Sequence, residues 1–536
     1  MSVYQRRHTS CEVCRLFCFL LFYGSSGRAQ TVLKTCIYVR GSCFMLEKIA
    51  SVNGVVNGFV WGIPMLILLV GTGILMTNLT GWFQLSHFGY WWKKTVGGIL
   101  HNKEVTEHTS KEDRQITQFQ SLCTALAATI GTGNIAGVAA AIASGGPGSI
   151  FWMWVVAFFG MMTNYSENVL GIFYRRRNSK GEWCGGAMYY LKDGLGSKKY
   201  GRHIGPILAV LFSIFCVLAS FGIGNMSQVN SIAVNVKSAF GIPTLWTGIF
   251  LMVIAGVVIL GGLKRIASVT EMLVPFMAIA YVVLALIVVL THVSMLPAAV
   301  AAIFKGAFAM KAVGGGIVGA GVKQAVTWGM KRGVFSNEAG LGSSVMVHST
   351  SNVKEPVMQG MWGIFEVFAD TIVVCSLTAF AILCSGVVNL ENGTMISDAE
   401  KTALVSEAFG KTYGAFGAKF IAVAILLFAF STVLGWSIYG TKAIEYLLGE
   451  KAVVVYKAVF VVFIVCGATM NLELAWDLSD TFNGLMAIPN LIGVLVLSGT
   501  VRKITKNYVD RNFRGKDVAP MYSAFPDVQK AQEQDM

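Results

Sequence analysis

The sequence predicts an all-α polytopic membrane protein with eleven transmembrane helices, arranged as a five-plus-five inverted repeat that one extra N-terminal helix precedes. Of the 536 residues, 54% are hydrophobic and 13% are charged, which is about half the charged fraction of a soluble protein. Apolar runs of about 20 residues, enough to cross a bilayer as a helix, recur along the chain. These runs are continuous rather than alternating, which excludes a β-barrel. Two glycine-rich polar runs also lie at membrane depth, five spans apart.

The apolar runs define the expected spans and domains. The spans lie near residues 57–79, 117–143, 148–174, 205–236, 244–262, 269–291, 314–347, 357–386, 415–440, 452–470 and 477–499, with long connections at 175–202 and 386–414. The first span stands outside the repeat, so the other ten form two sets of five. We therefore expect a transmembrane domain over residues 45–503, with an extra helix at 57–79, a first repeat over 117–291 and a second over 314–499. Residues 504–536 are expected to form a tail.

Residues 1–44 differ from the rest of the chain. They hold five of the eleven cysteines, but no second cysteine or histidine pair completes the "CEVC" motif into a zinc site, so we expect neither a metal centre nor a disulfide framework. The run "RLFCFLLFY" is too short to span a bilayer, although its basic flank gives it some likeness to a signal peptide. We favour an upstream extension before a start at Met45.

The formal net charge of +14 reports orientation rather than a nucleic-acid partner. Lysines and arginines concentrate in alternate loops, such as 175–202, and in the tail. The loops between them are poor in positive charge. Because cytoplasmic loops carry the excess of Lys and Arg, we expect the N-terminus outside and the C-terminus in the cytoplasm, as an odd number of spans requires.

The first unusual run is "ATIGTGNIAGVA", residues 128–139. Gly131, Gly133 and Gly137 each cost a helix about 1 kcal/mol relative to alanine. A nucleotide-binding loop is excluded because no strand precedes the run and no GK[ST] follows it. Close helix packing through Gly133 and Gly137 remains an alternative, and it is compatible with a binding site.

The second unusual run is "WGMKRGVFSNEAGLGSS", residues 328–344. A charge at membrane depth costs about 3 kcal/mol or more, so Glu338 must face the protein interior or a water-filled cavity. We expect Lys331 and Arg332 at the cytoplasmic end of their span, where charge costs little, and do not make them ligands.

The two runs occupy corresponding positions, because each opens a set of five spans. An odd number of spans per set makes the second set inverted relative to the first. Transporters built in this way bind substrate between discontinuous helices near the bilayer midplane. A helix N-terminus exposes N–H groups that suit a carboxylate, and exposed carbonyls suit a small cation. This chemistry describes one amino acid bound together with sodium.

Two further polar patches accompany the broken helices. "FAFSTVLGWSIYG", residues 428–440, places Ser431 and Thr432 where their hydroxyls can complete a cation's oxygen shell; bonding of each hydroxyl to its own helix is the alternative. In "FGIGNMSQVNSIAVN", residues 221–235, Asn225 and Gln228 share one helix face, with hydrogen bonding between helices as the alternative.

The motifs "ALAATIGTGNIAGVA", "GGAMYYL", "KRGVFSNEAGLGSS" and "FAFSTVLGW" together resemble the alanine or glycine:cation symporter family, from about Met45 to Arg502. This resemblance implies a sodium-coupled symporter of the bacterial cytoplasmic membrane with the leucine-transporter fold and one extra N-terminal helix. It implies import of small neutral amino acids, alanine or glycine, by alternating access. Proton coupling, or serine, D-alanine or glutamine as substrate, remains an alternative.

The resemblance also assigns site residues. Backbone N–H groups of Thr132 and Gly133 are expected to hold the substrate carboxylate, beside Asn134. Carbonyls of Ala127 and Ile130 are expected to hold sodium, which Ser431 and Thr432 complete. The remaining pocket-wall candidates are Gln228, Phe335, Asn337 and Trp436, of which Trp436 would cap the side-chain end and keep substrates small.

Other classes of protein fit less well. A membrane enzyme needs a clustered catalytic set, whereas most of the seven histidines lie in loops or near the N-terminus, and Glu366 and Asp370 share a helix face without a partner motif. No repeated filter loop indicates a channel, and no Walker motif indicates ATP-driven transport. We expect no catalytic residue and no cofactor. The expected partners are sodium, a small neutral amino acid and the lipid bilayer, and a monomer is compatible with the sequence.

Overall fold

The computed structural model describes residues 48–107, 115–179, 181–308, 320–390, 396, 402–470 and 473–534. The chain divides into two units, residues 1–58 and 59–536. In the first unit, the described residues 48–58 are helical. The expected N-terminal extension, residues 1–44, and its "CEVC" motif lie outside the described residues.

The second unit is built almost entirely of helices, as the sequence predicts. The helical segments are Ile63–Leu79, Phe83–Ser86, Phe88–Lys94, Val96–His101, Lys103–Thr106, Gln118–Thr129, Thr132–Asn134, Ala136–Gly145, Gly148–Phe173, Ala187–Tyr189, Tyr190–Leu195, Ile204–Phe221, Gly222–Met226, Ser227–Phe240, Thr244–Leu260, Gly262–Thr291, Val293–Met295, Leu296–Phe308, Ala320–Asn337, Val345–His348, Pro356–Val367, Phe368–Cys375, Ser376–Cys384, Thr402–Tyr413, Ala415–Leu448, Glu450–Thr469, Glu473–Val496, Ser498–Asn512 and Pro526–Gln534. Two short strands, Arg176–Arg177 and Trp183–Cys184, pair antiparallel in the long connection.

Six helices in the described part of the chain are long and apolar enough to cross a membrane. They are Lys48–Leu79, Ile204–Phe240, Gly262–Thr291, Pro356–Cys384, Ala415–Leu448 and Glu450–Thr469. A seventh candidate combines Trp476–Val496 with Ser498–Asn512, which meet at a bend of 57°. The polytopic helical class is therefore confirmed, whereas the count of eleven and the two repeats stay predictions.

Helix ends differ from several predicted span ends for a physical reason. The span expected at 269–291 belongs to a helix that already begins at Gly262 and includes Lys264 and Arg265. The span expected at 415–440 continues two turns further, to Leu448. Hydropathy marks the apolar stretch of a helix, whereas the backbone hydrogen bonds continue as long as no breaker stops them.

The core is centred on the helices Gly148–Phe173 and Ala415–Leu448. Most residues of both helices are buried. The apolar side chains of Gly262–Thr291 and Thr244–Leu260 remain largely exposed instead, among them Phe276 at 66% and Trp246 at 64%. Exposed apolar surface of this extent suits contact with lipid. The polar run of the first unusual segment thus lies inside a helical shell rather than against the bilayer.

Candidate functional site between two broken helices

The first unusual run is a broken helix, as predicted. Gln118–Thr129 ends at Ile130, and a single 3₁₀ turn, Thr132–Asn134, precedes the next helix, Ala136–Gly145. We call Gln118–Gly145 the first broken helix. The Asn134 side chain stabilises the break, because its Oδ1 accepts a hydrogen bond of 2.9 Å from the Gly131 backbone N–H. In a continuous helix, the backbone N–H and C=O groups at this point would bond to each other. At the break they lack these partners and can bind other groups.

The second unusual run is also broken. Ala320–Asn337 ends before the loop 338–344, and the short helix Val345–His348 follows. We call Ala320–His348 the second broken helix. Its loop turns through left-handed backbone at Glu338, φ +56°, and at Gly340 and Gly342, φ +92° and +72°. A left-handed conformation costs a non-glycine residue about 1–2 kcal/mol, so Glu338 is the strained member of this loop.

The two breaks contact each other. A side chain added at Gly133 would place its Cβ 3.2 Å from the Phe335 ring and 3.4 Å from Ser336 Cα. Asp370, in the π-helical segment Phe368–Cys375, joins both breaks: its carboxylate accepts from Asn134 Nδ2 at 2.6 Å and from Ser336 Oγ at 2.8 Å. The pairing of the two runs, inferred from their positions in the sequence, is therefore a real contact in the fold.

A small cavity of about 10 Å³ lies between the breaks. It is lined by Ala128, Thr129, Gly131, Gly133, Ile223, Gln228, Phe335, Glu338, Thr432 and Trp436. This volume is about that of one water position, so the site must widen to admit an amino acid. The narrowness has a visible cause, since Trp436 packs on Gly224, where an added Cβ would lie 2.3 Å from the Trp436 Cβ.

Four of the seven predicted substrate residues line this cavity: Gly133, Gln228, Phe335 and Trp436. Thr132 adjoins it, because its backbone N–H donates to Gln228 Oε1 at 3.3 Å.

Asn134 and Asn337 do not line the cavity, and their side chains are already engaged. Asn134 bonds to Gly131 and Asp370, while Asn337 accepts from the Ala339 N–H at 3.0 Å and donates to Thr371 at 3.1 Å. In this conformation both asparagines hold the broken helices in shape.

Of the residues predicted to bind sodium, Thr432 and Ala127 are in contact, whereas Ser431 contacts other residues. Thr432 Oγ1 reaches across to the Ala127 carbonyl at 3.1 Å, and it also bonds to Phe428 O in its own helix at 3.0 Å. Ser431 Oγ donates to Phe428 O at 2.8 Å and lies 3.6 Å from Met277 Sδ. The structure therefore places the Thr432 hydroxyl against the first broken helix and directs Ser431 toward the helix Gly262–Thr291.

Close backbone approach supports the Thr432 contact. At Gly435, one turn beyond Thr432, an added Cβ would lie 2.7 Å from Ala128 Cβ and 2.9 Å from its backbone nitrogen. At Gly131, an added Cβ would lie 2.5 Å from Thr432 Oγ1. Glycine at both positions lets the helix Ala415–Leu448 touch the first broken helix just where its carbonyls are exposed.

A larger cavity of about 520 Å³, with several charged side chains in its lining, lies further along the same helix. Thr432 and Trp436 line the small cavity, whereas Thr441, Lys442 and Glu445, two to three turns on, line the large one. Its other walls include Lys264, in the first turn of the helix Gly262–Thr291. We call this cavity the vestibule.

A layer of contacts adjoins the small cavity at Phe335. One turn before Phe335 on the second broken helix, Lys331 Nζ pairs with Asp480 Oδ2 at 2.8 Å. The Phe335 ring stacks near Trp476, with ring centroids 6.3 Å apart. Lys331 is thus partly buried within its helix, which continues to Asn337, and its expected place at the cytoplasmic end of the span stays a prediction.

Sequence reasoning missed several buried ionisable contacts. His348 Nε2 lies 3.0 Å from Glu366 Oε2 with both side chains fully buried, and the Arg175 guanidinium donates to the carbonyls of Ser349, Ser351 and Val353. For Glu366 the signal available was a charged residue within an apolar run, whereas Arg175 opens a basic run in a long connection. The partner could not be identified, because it comes from another helix.

Two broken helices that meet around a buried cavity, in a chain with several helices long enough to cross a membrane, are typical of a multi-pass membrane transport protein. Residues 46–522 match the sodium:alanine symporter family. The chain belongs to this family, and its members are transporters rather than enzymes.

Two relatives that are similar in sequence agree with this assignment. The chain is 44% identical to the sodium/alanine symporter AgcS of Methanococcus maripaludis, over 86% of this chain and 98% of that protein. It is 35% identical to the "Probable sodium/glutamine symporter GlnT" of Bacillus subtilis, over 88% of this chain and 93% of that protein. Among solved structures it is similar to MhsT in complex with L-phenylalanine, at 11% identity and a TM-score of 0.49, over 74% of this chain and 99% of that one.

Proposed function

We propose that this protein is a sodium-coupled symporter that imports a small neutral amino acid, with alanine as the first choice and glycine next, across the bacterial cytoplasmic membrane. The observation that carries the proposal is the contact between the two broken helices, with the Thr432 hydroxyl set against the Ala127 carbonyl beside a buried cavity. Membership of the sodium:alanine symporter family supports the ion and the substrate class.

In the proposed mechanism, the substrate carboxylate binds the backbone N–H groups of Thr132 and Gly133. The partial positive charge at a helix N-terminus favours an anion there. The Thr132 N–H now donates to Gln228 Oε1, so the substrate carboxylate replaces the Gln228 amide as acceptor. The small cavity and the Trp436 wall favour a short side chain.

Sodium is proposed to bind between the carbonyls of Ala127 and Ile130 and the hydroxyls of Thr432 and Ser431. Carbonyl and hydroxyl oxygens are suitable ligands for a hard cation. The ion would fix the first broken helix against the helix Ala415–Leu448, and this contact also shapes the small cavity. Binding of sodium would therefore order the substrate site, which is the physical basis that we propose for coupling.

The transport cycle is proposed to alternate access to this site. With the N-terminus outside and the C-terminus in the cytoplasm, the vestibule opens toward the cytoplasm and the Lys331–Asp480 layer closes the outer side. The present conformation would then be inward-facing. The five-plus-five inverted repeat supplies the two related halves that such a motion needs.

The first test is uptake of labelled alanine by proteoliposomes that contain the purified protein. We expect accumulation under an inward sodium gradient and loss of accumulation when choline replaces sodium. Equal uptake in choline would refute sodium coupling. A competition panel of glycine, serine, D-alanine and glutamine against labelled alanine decides the substrate. Glutamine is included because the name of one relative favours it, whereas the narrow cavity favours alanine.

A further inference from the structure

Glu338 occupies an unusual place in the small cavity. Among the described residues that line this cavity, Glu338 alone carries an ionisable side chain. It is 2% exposed, and its Oε2 accepts a hydrogen bond of 2.5 Å from Ser343 Oγ. The Trp436 and Tyr439 side chains are further hydrogen-bonding neighbours of this carboxylate. Its two oxygens offer about four lone-pair sites, so it can still accept from one more donor.

The backbone at Glu338 indicates that its side chain is needed there. Glu338 follows the last residue of the helix Ala320–Asn337 with φ +56°, a position at which helices most often place glycine. The same loop does place glycine at its two other left-handed positions, Gly340 and Gly342. Strained backbone of this kind persists mainly at functional sites. The chain therefore keeps a carboxylate at a position where glycine would be the easier choice.

The substrate chemistry supplies a role for this carboxylate. A neutral amino acid is a zwitterion, and the N–H groups at the first broken helix account only for its carboxylate. Its ammonium group also enters a buried site and requires an acceptor there, because an unpaired buried charge is costly. Gln228 Oε1, which the Thr132 N–H releases when the substrate carboxylate binds, is an uncharged acceptor and cannot balance the charge of the ammonium group. The Thr432 hydroxyl, between the Ala127 and Phe428 carbonyls, is uncharged as well.

We propose that the Glu338 carboxylate binds the ammonium group of the transported amino acid and thereby makes an α-amine a requirement for substrates. Ser343 holds the carboxylate in position, and the hydrogen bonds to the ammonium are charge-assisted and thus strong. This inference rests on the proposed function, since it names a further contact of the same site.

The test compares Glu338→Gln, Glu338→Gly and the control Glu271→Gln. Glu271 is a partly buried carboxylate on the helix Gly262–Thr291, bonded to Gln120 and outside the small cavity. Alanine is the probe with an amine, and propionate is the probe without one. In the wild type, alanine should compete with labelled alanine far better than propionate does.

Both Glu338 variants should bind alanine about 10- to 100-fold more weakly, the usual effect of losing a charged hydrogen bond, and should discriminate little between alanine and propionate. Their apparent sodium affinity should change much less. Glu338→Gly should also unfold at the wild-type temperature or above, because glycine accepts the left-handed backbone. Glu271→Gln should behave as the wild type.

Three results would overturn this inference. If Glu338→Gln bound alanine as tightly as the wild type does, Glu338 would not bind the ammonium group. A loss of sodium affinity larger than the loss of alanine affinity would make Glu338 part of the ion site. A lower unfolding temperature of Glu338→Gly would assign Glu338 a structural role. A wild-type protein that binds no amino acid would instead refute the proposed function, and this inference with it.

Discussion

Replacing Thr432 with valine is the sharpest test of the ion site, because valine keeps the shape of threonine and removes only the hydroxyl. Thr432 is 2% exposed, and its Oγ1 lies 3.1 Å from the Ala127 carbonyl across the helix interface. If this hydroxyl is a sodium ligand, its loss removes an interaction with a charge, worth about 1.5–3 kcal/mol. The sodium concentration for half-maximal uptake should therefore rise about 10- to 150-fold.

The matched control is Ser437→Ala on the same helix. Ser437 is also buried, and its hydroxyl donates to the Leu434 carbonyl in its own helix at 2.6 Å. Sodium dependence of alanine uptake is measured for both variants in proteoliposomes at saturating alanine, and sodium-induced thermal stabilisation is measured without substrate. If Thr432 only bonds to its own helix, at Phe428, both variants should behave alike. Equal sodium dependence in the two variants would refute the ion-ligand role of Thr432.

Three further outcomes are expected. Trp436→Ala should admit amino acids larger than alanine in a competition panel, because the Trp436 side chain closes one wall of the small cavity; an unchanged substrate range would remove it from the pocket. Gly435→Ala should lower both the unfolding temperature and sodium affinity, because its Cβ would collide with Ala128, whereas Gly410→Ala, with open space around it, should do neither. Asp480→Asn should open the side closed by Lys331, so that a cysteine introduced near the layer reacts faster with an impermeant maleimide; an unchanged rate would show that the ion pair does not close this side.

Much of the fold was predictable from the sequence, because hydropathy and helix breakers act locally. The glycines at 131 and 133 and the run "NEAGLGS" interrupt helices wherever the surrounding fold lies, and both interruptions are present in the structure. The contact between them could be inferred from their matching positions in the order of spans. The repeat itself stays a prediction.

The individual side-chain roles were less predictable. Asn134 and Asn337 belong to the predicted motifs, yet their amides bond to Asp370 and Thr371, which lie on another helix. Sequence shows that a residue is polar, but tertiary packing decides which partner satisfies it. For the same reason Glu338 was recognised as an expensive buried charge, while its place in the cavity wall became visible only in the structure.

Lys331 illustrates what a general rule leaves open. Positive charges usually lie at the ends of membrane spans, and this expectation placed Lys331 at the cytoplasmic end. In the structure Asp480 of the helix Glu473–Val496 pairs with it, so its charge is compensated within the protein. A buried charge is tolerated when its partner is close, and the partner lies 149 positions away in the sequence.

The most direct test of sodium-coupled symport uses a gradient of the amino acid to move sodium, instead of a sodium gradient to move the amino acid. Proteoliposomes are prepared with equal sodium on both sides, and excess alanine is added outside with ²²Na⁺. Symport predicts that the inward alanine gradient accumulates ²²Na⁺ transiently above its equilibrium level, and that this accumulation is lost in Thr432→Val at low sodium. Alanine entry with no accumulation of ²²Na⁺ above that level would contradict the account.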